Sequence, residues 1–168
     1  MTIAPPEALV HLLKPWNDFY SHSKTAETIV LFLHLGALLL AGGFAIAADR
    51  STLRALRLPA AGRAEPLREL AAVHRWVIGG LAVIVVSGLA LLASDIETFF
   101  GSWIFWVKMS LVVVLLINGL MMTQTETALA GEATEASPHW GKLGRIAKTS
   151  LTLWFTVMAF GIALANFA

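Results

Sequence analysis

Residues 31–50, LFLHLGALLLAGGFAIAADR, decide the fold. From Leu31 to Ala48 the only side chain able to form a hydrogen bond is the imidazole of His34, and the run closes on the charged residues Asp49 and Arg50. Extended upstream to Thr28, the run reaches the roughly 20 apolar residues that a helix needs to cross a hydrocarbon core about 30 Å thick. Three further windows match it, so the spans are expected at 28–48, 73–93, 103–122 and 146–167. The composition agrees: of 168 residues, 57% are hydrophobic and 14% charged, and the mean hydropathy is +0.73. A transmembrane β-barrel would alternate in segments of about ten residues, which these runs do not.

The expected fold is therefore an all-α integral membrane four-helix bundle of antiparallel up-down topology. Residues 1–27 form an amphipathic interfacial segment bent at Pro15, expected to float on the outer surface, and 28–168 form the transmembrane domain. The opening residues MTIAPPEALV lack the basic and apolar regions of a cleavable signal, so the first span is expected to serve as both targeting signal and permanent anchor. The short connection SDIETFFGS should make the second and third spans antiparallel neighbours. TQTETALAGEATEASPHWGK reads as a polar connection broken at Pro138 and Gly141, and Pro59 and Gly62 break the other basic loop.

Basic residues set the orientation. Arg50, Arg54, Arg57, Arg63, Arg68, Arg75, Lys142, Arg145 and Lys148 cluster on one side, against Lys14 and Lys24 on the other. Cytoplasmic loops retain Lys and Arg, which puts the basic loops inside and both termini outside. The net charge of +1 hides this asymmetry, and the basic loops read as topology and anionic-lipid contact, with no nucleic-acid partner. With no cysteine in the chain, thiolate metal sites, disulfides and thiol nucleophiles are excluded.

Each residue advances about 1.5 Å along a helix, so residues of different spans can be matched by depth. His34 falls level with Ser87 and Gly88 of the second span, Lys108 of the third and Gly161 of the fourth. A lysine within a span costs roughly 2.5 to 3.5 kcal/mol on insertion scales and normally serves a site; the competing reading has Lys108 snorkelling outward past Trp103. His34 could equally pin two helices through one hydrogen bond. Gly42 and Gly43 fall level with Gly79 and Gly80, as helix packing or a cofactor slot. His74 and His139 lie towards the basic side, solvated or salt-paired, or forming a second inner site. Asp49 and Arg50 meet the start of the second span at Arg75, where an ion pair is expected, and Asn118 should bond across helices.

Imidazole is the commonest axial donor to haem iron, and membrane haems sit between facing helices. Two axial ligands must share a depth: His34 and Lys108 do, His34 and His74 do not. Lys108 could alternatively hold a propionate as a point charge. No inward Glu-x-x-His pair supports a di-metal carboxylate centre, and no serine, histidine and acid share a level for hydrolysis.

HLGALLLAGGFAIAADR (34–50), HRWVIGGLAVIVVSGLALLA (74–93) and WIFWVKMSLVVVLLINGLMM (103–122) together resemble bacterial four-helix membrane proteins of the copper-resistance D type and the related membrane protoporphyrinogen oxidases of HemJ type. The oxidases' first-span histidine, matched by His34, implies haem b binding, and their third-span lysine is matched by Lys108. The chain departs from them in having LGALLLAGG where a tryptophan follows the histidine, and KTSLTLWF where the fourth span has an acidic, proline-containing stretch.

The expectation is thus a haem b protein of the bacterial inner membrane, transferring electrons or oxidising a quinol or porphyrinogen. A structural or assembly subunit and a metal or small-solute transporter remain as alternatives, and small-residue faces leave room for a homo-oligomer.

Overall fold

The computed structural model describes residues 4–59, 63–131 and 137–167, with the side chains of 64–72 and 130–131 left out. Its elements are helices: α1 (Glu7–His22), α2 (Lys24–Ala55), α3 (Ala64–Ser94), α4 (Ile96–Gly101), α5 (Trp103–Gly131) and α6 (His139–Phe167). Four of them, α2, α3, α5 and α6, contain stretches long and apolar enough to cross a membrane.

Short polar residues punctuate the chain. Ser23 leaves α1 in an extended conformation and caps α2, its side chain accepting from the Ala26 amide. Asp95 does the same for α4, accepting from the Thr98 amide at 3.2 Å, and the Ser137 hydroxyl accepts from the His139 amide at 3.2 Å where α6 begins.

The helices pair as α2 with α3 and α5 with α6, and the two pairs join chiefly through α2 and α6. α3 and α5 touch little although the α4 connection is short, so the neighbour relation expected from loop length is nearly absent. A short link brings two helix ends together; side-chain volume decides which faces then close. Glycine closes the α2–α3 seam: a Cβ on Gly80 would lie 2.6 Å from that of Ala41. Gly42 faces Trp154 of α6 instead, while Gly43 and Gly79 meet nothing within 4 Å, so of the four expected glycines one serves the α2–α3 seam and one the α2–α6 seam.

The expected span limits fall short at the basic end. α2 continues beyond 48 to Ala55, α5 beyond 122 to Gly131, and α6 starts at His139 and runs through Gly141. The added turns carry residues that the bundle buries, among them Asp49, Thr52, Thr125 and Glu126. α1 does not float. It stays helical through Pro15 and is fastened to the end of α3, with the Trp16 indole donating to Ala90 O at 2.8 Å and Asn17 Nδ2 donating to Ser94 O.

Apolar clusters stack along the bundle. Ile104, Phe105 and Leu164 pack at the α4 end; Ala41, Leu115, Leu153 and Trp154 fill the middle; Met122, Leu129, Leu143, Ile146 and Ala147 fill the basic end. Phe32, Leu39, Leu40, Val86, Leu120 and Ile162 point outward, the inverse of a water-soluble helix and the pattern lipid contact requires.

Candidate functional site

Two polar layers interrupt this apolar stack. The first lies between the α4-end cluster and the middle one. On α5 it falls between Phe105 and Leu111, on α6 between Trp154 and Leu164, on α3 between Ile84 and Leu92. It holds His34, Ser87 and Gly88 on the α2–α3 pair, and Lys108 and Gly161 on the α5–α6 pair.

The α2–α3 half follows from the helix register. Ala41 meets Gly80, and two turns away on both helices His34 meets Ser87, so the same close-packed stripe carries both contacts. His34 Nδ1 is 3.0 Å from Ser87 Oγ. The Ser87 hydroxyl has a single proton, which it donates to Val83 O at 2.6 Å within its own helix. In that arrangement Ser87 accepts from an Nδ1–H, and the tautomer that suits it carries its hydrogen on Nδ1 and a lone pair on Nε2. Gly88 gives the ring its seat: a Cβ there would stand 3.3 Å from His34 Cε1.

On the facing pair, Lys108 Nζ would lie 3.7 Å from a Cβ on Gly161. That position matches the α5–α6 register set by Phe105 and Leu164 in one cluster and Leu115 and Trp154 in the next. The ammonium thus lies across to α6 at its own level instead of snorkelling outward past Trp103. Among the described residues it has no hydrogen bond or ion pair. The helix pairs that carry the two halves join chiefly through α2 and α6. Depth matching places Ser87 and Gly88 with His34, and Gly161 with Lys108, as the structure does.

The second layer, at the basic end, is larger than the sequence implies. His74 Nδ1 lies 3.3 Å from Glu126 Oε2 across the thin α3–α5 seam. Asp49, expected in an ion pair with Arg75, is 1% exposed and has none among the described residues, with the Ser150 hydroxyl beside it. Arg50 and Arg75 are exposed, and the Arg75 guanidinium lies over the Trp76 ring at 5.3 Å. Asn118 does bond across helices, donating to Ile146 O at 3.2 Å. His139 begins α6, and Gly62 lies outside the described residues. Among the described residues, no three His, Asp or Glu side chains converge closely enough to hold a metal ion.

Comparison with family models, with characterised proteins and with solved structures returns no match.

Proposed function

We propose that the chain is a haem b-binding protein of the bacterial inner membrane, in up-down topology with both termini outside, that transfers electrons or oxidises a hydrophobic substrate such as a quinol or porphyrinogen. The observation that carries this reading is the pairing of His34 Nδ1 with Ser87 Oγ at 3.0 Å, which suits the tautomer with its hydrogen on Nδ1. A histidine bonded through Nδ1–H and left with a bare Nε2 is the form that ligates iron, and the Ser87 bond fixes the ring's orientation as an outer partner of a metal ligand does.

The remaining residues fit the same group. An unpaired ammonium in an apolar layer is costly, and a propionate would neutralise Lys108; as a neutral amine the same side chain could supply a second axial ligand. Gly88 and Gly161 let the imidazole and the lysine side chain lie close against α3 and α6. A haem bound here would supply one-electron chemistry. The protein's part is to hold the imidazole in one tautomer, place a cation opposite, and shield the layer with Phe105 and Leu164 on one side and Leu115 and Trp154 on the other. The resemblance of the first three spans to the HemJ-type oxidases points the same way.

The visible spectrum of protein purified in mild detergent tests this. A Soret band is expected in the wild type and should be lost in His34→Ala. Colourless protein from haem-replete cells contradicts the proposal and leaves His34 as a helix-pairing residue.

A further inference from the structure

The basic-end layer contains three buried oxygens with no hydrogen-bond partner: Asp49 Oδ2, Thr52 Oγ1 and Glu126 Oε1. Thr52 is 3% exposed and lies one turn beyond Asp49 on the same face of α2. A buried hydroxyl without a partner is itself unusual, since such groups are almost always satisfied. Glu126 reaches the layer from α5, and the Asp49 carboxyl acts on it electrostatically.

Among the described residues, the charges facing this layer do not balance two carboxylates. From α3 comes His74, on the far oxygen of Glu126; α6 contributes the Ser150 hydroxyl beside Asp49. Arg50 on α2 and Arg145 and Lys148 on α6 are exposed, and Lys142 is partly so. Burying an ionised carboxylate without a partner costs several kcal/mol, and a second like charge nearby adds to that cost. One proton removes the difficulty: it cancels a charge and turns an orphan acceptor into a donor that another orphan can receive. A metal ion is the weaker solution, because no three ligating side chains converge.

We propose that at neutral pH at least one of the buried carboxyl groups of Asp49 and Glu126 is protonated, forming a proton-binding site at the basic end with His74 beside Glu126. The site lies about 22 Å along α2 from His34 and is independent of the haem reading.

Infrared spectroscopy of the full chain in lipid tests it. The wild type should show the carbonyl stretch of a protonated carboxyl group at neutral pH, with a downshift in deuterated water. The double variant Asp49→Asn/Glu126→Gln should abolish that band, while His34→Ala should leave it in place. Asp49→Asn, which keeps the shape and removes the charge, should not lower the unfolding midpoint in detergent. Absence of the band in wild type overturns the proposal, as does its survival in the double variant. Its loss when sodium chloride replaces choline chloride would assign the oxygens to a metal cation instead.

Discussion

At the residue scale, one hydroxyl fixes what His34 can do. Ser87 is 5% exposed, and with its proton on Val83 O of its own helix it acts towards the imidazole as an acceptor. Ser87→Ala should leave the bundle folded while lowering haem affinity by about 10- to 100-fold, the usual cost of losing the outer partner of a ligating histidine; titration of the purified variant with haem measures it. Gly80→Ala and Gly144→Ala form a second pair of expectations. The new methyl at Gly80 meets the Cβ of Ala41, which cannot move without its helix, whereas at Gly144 it meets Leu56 Cδ1, the end of a flexible side chain. The first should destabilise by about 1–3 kcal/mol and the second by clearly less, as read from unfolding in detergent.

Which residues were readable from sequence follows from their surroundings. His34 and Lys108 stand out because each interrupts an apolar run, and the constant rise of a helix places them at one level. Asp49 and Glu126 are harder to find. Both lie where hydropathy falls, and a falling hydropathy profile has the same form whether a helix leaves the membrane or continues with polar residues turned inward. The period-3.6 placement of Asp49 and Thr52 on one face of α2, beside buried Ala55, was the available signal.

At the scale of elements, the four long helices are legible because about 20 apolar residues leave a chain few alternatives in lipid. Their partners are less so. Hydropathy carries no information on which faces meet, and the thin α3–α5 seam depends on small residues placing α2 against both α3 and α6. α1 shows the same limit: its amphipathic pattern predicts a surface helix, but the Trp16 indole aimed at Ala90 O fixes where it docks. Trp16→Phe keeps the ring and removes the donor, at a cost of about 0.5–1.5 kcal/mol. Faster amide exchange across α1, with the four long helices unchanged, is the expected result.

For the whole molecule, the grouping of nine basic residues predicts an orientation that can be tested directly, because the chain has no cysteine to interfere. A membrane-impermeant thiol reagent added to intact cells should label Ser21→Cys and spare Arg57→Cys, both of which are exposed positions. Along the bundle axis, the two polar layers are separated by the apolar cluster around Trp154. The layer near α4 offers an imidazole and a cation, and the layer at the basic end offers carboxyl groups. Titration of haem into the stripped protein distinguishes them most directly. One equivalent should bind to wild type and to His74→Ala with a Soret band of normal intensity, and none should bind to His34→Ala. Equal binding by His34→Ala and wild type, or loss of binding in His74→Ala alone, would contradict placing the haem between α2–α3 and α5–α6 at Ser87 and Lys108.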